Sequence, residues 1–289
     1  VRPWLPAAFA AAGALSVVPG FAFYALAAAL GLSPGGDRWG VVVFTWTVNA
    51  PVEELAKFLG FALTARILKS IREPQDGSLQ GAATGLGFGL VENLLYGLSG
   101  GPGLFLVRTL VSLPGHLIYG AVWGGYYGFE VYQGRGRVRR PWVPLLALVP
   151  AGFSHALYNT LAVTGAPLVW ALAADALTLG FGLFLFVGLR SHSPRQKPRP
   201  LREWALAIPE LDHALALDPG STVLRQRLAA YLLAGNQADR ALGVLEPLPD
   251  DPWTLFYRDA ARRRLGPRSP DLPGSASLNL PLFRALSGG

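Results

Sequence analysis

Six apolar runs follow one another through the first 190 residues: 4–32, 40–68, 79–98, 104–131, 142–164 and 168–189. A helix needs about 20 such residues to cross the hydrocarbon of a bilayer. Inside lipid each backbone N–H and C=O must find its partner within the protein, which favours helices. The expected fold is therefore all-α: a polytopic membrane helix bundle of about six transmembrane helices with a small helical cytoplasmic tail. Composition agrees, with 51% hydrophobic residues, 15% charged and a mean hydropathy of +0.34. A soluble domain carries about 25% charged residues. The first run follows Arg2 and holds Ala25-Leu26-Ala27, a cleavage-like triplet. Its length exceeds the roughly 7–15 residues of a signal peptide core, so it is read as an uncleaved span. Val1 is either an alternative start codon or the edge of a fragment.

Charge placement gives an orientation. Arg66, Lys69 and Arg72 follow the second run, and Arg135, Arg137, Arg139 and Arg140 follow the fourth. Arg190, Arg195, Lys197, Arg199 and Arg202 follow the sixth, whereas the alternate loops are almost uncharged. The positive-inside rule then places both termini and the basic loops in the cytoplasm of a multi-pass cell-membrane protein. The basic residues thus serve topology against the lipid bilayer, and no nucleic-acid partner is expected. The absence of cysteine excludes disulfides, thiolate nucleophiles and sulfur-ligated zinc.

Four segments are expected: a transmembrane domain over 1–190, a Pro- and Arg-rich linker over 191–200, a helical domain over 201–266 and a disordered tail over 267–289. In the third segment, Asp218-Pro219 and Asp251-Pro252 recur at close to the ~34-residue tetratricopeptide period. One or two degenerate tetratricopeptide-like helix pairs and an unrelated short helical tail both fit that recurrence. Such a tail would suit a cytoplasmic protein partner.

Ionisable residues inside the spans are costly and mark function by default. Glu53, Glu54 and Lys57 stand in the second run, Glu92 in the third, Arg108 and His116 in the fourth, His155 in the fifth and Asp175 in the sixth. At ~1.5 Å rise per residue, the glutamate pair, His116 and His155 share mid-span depth, with Glu92 slightly nearer the outer side. Arg108 sits near a span end and could snorkel to the interface, so it carries less weight. The i,i+4 spacing of Glu53 and Lys57 predicts an ion pair that leaves Glu54 for other chemistry, although the two carboxylates could exchange roles. Asn93 adjoins Glu92, and Asn159 shares a helix face with His155. Glycine rows at 81, 85 and 89 and at 120, 124 and 128 predict close helix approach.

The ordered motifs Glu53-Glu54-x-x-Lys57, Phe88-x-x-x-Glu92-Asn93 and His155-x-x-x-Asn159 resemble those of the PrsW family of intramembrane proteases. That family belongs with the glutamate-dependent CAAX-protease and bacteriocin-processing superfamily, whose other members carry histidine where this chain has Glu92. The resemblance covers roughly 41–159 and implies a membrane-embedded peptidase acting on membrane-anchored protein substrates, including regulators destroyed by proteolysis. With no cysteine and no evident serine triad, water is the expected nucleophile. Glu53 or Glu54 would be the general base. His155 and Asn159 suit the oxyanion, while His116 and Glu92 would position water or move a proton. No cofactor is expected in the preferred version. A second version has the same carboxylates and imidazoles hold zinc, although no HExxH stands in the chain. A proton-coupled transporter or channel is the non-enzymatic alternative, and no internal repeat supports it.

Overall fold

The computed structural model describes residues 2–266, and among these it is built from helices without strands. The chain divides into two compact units, Val1–Leu189 and Arg190–Gly289. The stretch 267–289, expected to be disordered, lies outside the described residues.

In the first unit α1 (Leu5–Leu15) and α2 (Val17–Ala29) are separated only by Ser16, whose hydroxyl donates to the Gly13 carbonyl at 2.7 Å. Next, α3 (Arg38–Phe44) starts at Asp37, whose carboxylate caps the Gly40 N–H at 2.7 Å. A π turn (Thr45–Asn49) then joins it to α4 (Ala50–Leu68). Pro51 explains the wide turn: it lacks the N–H for the Thr47 carbonyl, and its ring crowds that oxygen. Such one-turn widenings recur at functional sites, and this one leads straight into Glu53. After α4 come α5 (Asp76–Gly100), α6 (Pro102–Gln133), α7 (Trp142–Leu146), α8 (Leu148–Thr164) and α9 (Leu168–Ser191). Between α5 and α6 the chain reverses at Gly101, at φ 86°, a conformation that suits glycine.

Four stretches are long and apolar enough to cross a membrane: Leu5–Ala29, Pro102–Gln133, Trp142–Thr164 and Leu168–Ser191. The other two expected spans are also helical, but Glu53, Glu54 and Lys57 in one and the glycine-rich, polar α5 in the other lower their hydropathy. The count of six is accordingly approximate. Several apolar helices of this length make the protein a membrane protein.

Backbone contact between helices positions the site. A Cβ added to Gly81 would stand 2.1 Å from the Gly120 carbonyl oxygen, and one on Gly85 would stand 2.0 Å from that of His116. The glycine rows therefore press α5 onto α6 at the level of His116. A second close crossing joins α1 to α5, with a Cβ on Gly87 falling 1.8 Å from the Ala10 oxygen. Between α4 and α6, Phe58, Phe61, Trp123 and Tyr127 interlock, with the Phe61 and Trp123 centroids 5.1 Å apart.

The second unit holds α10 (Trp204–Leu217), α11 (Thr222–Ala234), α12 (Ala238–Leu245) and α13 (Pro252–Leu265). Its core is built on Leu211, Leu224, Leu228, Leu232 and Leu245. Each Asp-Pro pair lies in the link that enters a helix: Asp218-Pro219 before α11, Asp251-Pro252 before α13. Asp251 caps α13, accepting from the N–H groups of Trp253 at 2.9 Å and Thr254 at 3.1 Å.

Candidate active site

Side chains from α4, α5, α6 and α8 meet in one buried cluster inside the first unit. Glu54, 1% exposed, is saturated by donors. Its Oε1 lies 2.8 Å from Lys57 Nζ and 2.9 Å from His155 Nδ1, and its Oε2 accepts from Trp123 Nε1 at 3.0 Å. Glu53 is different. Its Oε1 accepts from the Tyr24 hydroxyl at 2.7 Å and the Asn49 amide at 2.9 Å. Its Oε2 is buried without a hydrogen-bond partner, 3.6 Å from both Lys57 Nζ and His155 Nε2.

The expected Glu53–Lys57 pair is thus the looser of two. Tyr24 and Asn49 hold the Glu53 carboxylate, and Lys57 turns to Glu54 and to His116 Nδ1, 2.9 Å away. The completely buried ammonium also lies 4.2 Å from the centre of the Phe88 ring. On its far side His116 places Nε2 2.9 Å from Glu92 Oε2.

These partners dictate the tautomers. Carboxylates only accept and an ammonium only donates. His155 therefore carries a proton on Nδ1, toward Glu54, and turns Nε2 toward Glu53 Oε2, a second acceptor 3.6 Å away. His116 accepts from Lys57 on Nδ1 and carries its proton on Nε2, toward Glu92.

Arg108 corrects the expectation of snorkelling. Its Nη2 pairs with Glu92 Oε1 at 2.9 Å, its Nε donates to Asn93 Oδ1 at 3.0 Å, and its guanidinium stacks 3.8 Å over Tyr96. Pairing with Glu92 offsets its charge within the bundle. Asn93 thereby acts on Arg108 and stands one step back from the carboxylate pair. Asn159 also reaches Glu53 indirectly: its amide donates to Asn49 Oδ1 at 2.9 Å, and Asn49 donates to Glu53.

One oxygen of Glu53 and one nitrogen each from His116 and His155 lie within 4.8 Å of one another, a donor set able to hold a metal ion. One carboxylate and two imidazoles is a familiar set for catalytic zinc.

Residues 2–190 match the family model described as PrsW family intramembrane metalloprotease. The chain belongs to the PrsW family. Among relatives, each described as Protease PrsW, that of Geobacillus kaustophilus (strain HTA426) is 32% identical over 89 residues, 31% of this chain and 38% of the relative. That of Shouchella clausii (strain KSM-K16) is 35% identical over 82 residues, covering 28% and 38%. That of Bacillus subtilis (strain 168) is 33% identical over 87 residues, covering 30% and 39%. The matched segment thus spans under two fifths of the length of these PrsW relatives. No solved structure matches the chain.

Several members of the cluster escaped the sequence reading. Asn49 lies four residues before Glu53, a spacing that could have found it. Trp123 follows His116 by two helical turns on the same face. Tyr24 carries no sequence signal. Asp175, placed above only among the ionisable residues of the spans, accepts from the Tyr119 hydroxyl at 2.9 Å, and the Tyr119 ring stacks on His155 with centroids 5.4 Å apart.

Proposed function

We propose that the protein is an intramembrane endopeptidase that hydrolyses a peptide bond of membrane-anchored protein substrates with a water held at Glu53. The observation that supports this most is Glu53 Oε2, a buried carboxylate oxygen without a hydrogen-bond partner, 3.6 Å from His155 Nε2. Tyr24 and Asn49 orient the Glu53 carboxylate, and Glu54 fixes the His155 tautomer. Glu53 is thus the better candidate for general base, with Glu54 as the group that positions its neighbours. His155 protonated on Nε2 and the second N–H of the Asn159 amide would suit the developing oxyanion, and Glu92 can take or return a proton through His116.

The same residues fit zinc, and the three-donor cluster and the family's description favour that version over a metal-free one. Glu53, His116 and His155 would hold the ion, His116 giving up one of its present contacts. Bound there, zinc would acidify a water and polarise the scissile carbonyl. Glu54 would keep its hydrogen bond to His155 Nδ1, a support common behind zinc-ligating histidines.

Reconstituted protein should cleave a single-span peptide, and Glu53→Gln should lower that cleavage about 10³-fold. Undiminished activity in that variant would remove Glu53 from its role. Elemental analysis of active protein separates the versions: stoichiometric zinc supports the metal, and active zinc-free protein supports Glu53 alone. Transport of a solute or ion in the absence of cleavage would return the transporter reading. The setting that suits such an enzyme is regulated proteolysis of a membrane-anchored regulator, with both termini in the cytoplasm. The second unit, read as a tetratricopeptide-like helix pair, would recruit a cytoplasmic protein; deleting 201–289 and comparing co-purifying proteins tests that role.

A further inference from the structure

The α1–α2 rod does not stay against α5. Around Gly13 and Gly87 the backbones touch, a Cβ on Gly13 falling 1.9 Å from the Thr84 oxygen. Past Ser16 the contact opens. Gly20 is buried, yet a Cβ added there would meet nothing within 4 Å. The space it faces is a cleft of about 250 Å³, walled by Val17, Phe21, Phe88 and Leu95, with Glu53 and Glu92 also in its lining. Phe21 is 56% exposed, Leu95 40% and Tyr96 45%, so the mouth opens at the outside of the bundle.

We propose that this cleft is the entry groove for the substrate, where a locally unwound apolar segment of a membrane-spanning polypeptide seats beside Glu53, and that Gly20 sets how large a side chain it admits. The inference rests on the proteolytic reading of the site. Its walls match the side chains of a transmembrane segment. An unwound segment exposes backbone N–H and C=O groups that lipid cannot satisfy, and Tyr24, Asn49, Glu92 and Ser99 in the same lining offer polar partners. A lipid acyl chain would match the walls but carries no polar group for that part of the lining. Because Gly20 lacks a side chain, the groove stays open where the rod turns away from α5, and any side chain at position 20 projects into the substrate's space.

The chain contains no cysteine, so single-cysteine variants label at one place. The probe is a lysine-flanked single-span peptide with a Leu/Ala core, in phosphatidylcholine vesicles with the full chain. A benzophenone attached through Gly20→Cys should crosslink the peptide at least tenfold more than one attached through Gly180→Cys. On α9, Gly180 is exposed and likewise meets nothing within 4 Å. Gly20→Leu should cut peptide cleavage at least tenfold with its thermal unfolding unchanged, and Gly20→Ala should cut it less. Crosslinking to lipid instead of peptide, or full cleavage by Gly20→Leu, overturns the groove. Cleavage without crosslinking at position 20 keeps the protease and discards the groove. Crosslinking without any cleavage by the unmodified chain keeps the groove and discards the protease.

Discussion

Inside the first unit Lys57, Glu54 and His155 lie against one another, each at most 2% exposed, whereas the equivalent depth of the second unit belongs to Leu211, Leu224, Leu228 and Leu232. Leucines interlock without directional demands and tolerate repacking. An ion network holds only while every member is present, because removing one partner strands another charge. The second interior is thus suited to holding a shape. The first gives up tolerance to keep charged groups at fixed distances, and what it gains is chemistry. Its rigidity comes from glycine-to-backbone contact and the aromatic set between α4 and α6, outside the ionic cluster itself.

Four outcomes would break or sharpen that contrast. Glu53→Gln should lower cleavage of the single-span peptide by about 10³-fold, within the range for a lost acid–base group, while circular dichroism stays that of the unaltered protein. Retained activity would reduce the cluster to a structural device. Lys57→Met should destabilise the first unit by about 3–5 kcal/mol, the typical cost of stranding a buried charge, read as a lower unfolding midpoint in detergent. A neutral result would show that Glu54 is sufficiently held by Trp123 and His155. Leu228→Ala should cost the second unit about 3 kcal/mol, as large-to-small core changes do. Peptide cleavage should be unaffected; a parallel loss of cleavage would erase the division of labour.

The smallest effect concerns Asp251. Hydrogen bonds from the Thr254 hydroxyl and from the backbone N–H groups of Thr254 and Trp253 hold its pKa below the ordinary value of 3.8. A carboxylate with a lower folded pKa contributes stability that is full above its unfolded value and lost as pH falls through the folded one. The unfolding midpoint of the second unit should accordingly dip below about pH 4, and Asp251→Asn should flatten that dip. An unchanged acid profile in Asp251→Asn would show that the cap is immaterial.

Much of the site could be read from the sequence because burying charge in apolar helices is costly, so residues such as Glu53, Glu54, Lys57, Glu92, His116 and His155 stand out against their surroundings. The glycine rows at 81, 85, 120 and 124 were equally legible, since spacing by four gives one helix face. Division of roles within the set was not legible. Helical spacing favoured Glu53 as the partner of Lys57, and a tyrosine 29 positions away reversed the preference by holding Glu53 through its hydroxyl. Arg108 likewise looked like an interfacial residue until Glu92 and Asn93, on another helix, proved to be its partners.

The sequence by itself determined that the chain is a helical membrane protein with acids and imidazoles from four helices at one depth, because hydropathy and the cost of burying charge are properties of residue type and spacing. Only the tertiary structure decided which donors each glutamate meets, which groups face the nitrogens of each histidine, and that α2 parts from α5 beside Gly20. Those depend on contacts between residues far apart in the chain, where distances of a few tenths of an ångström choose between partners and no periodicity records the outcome.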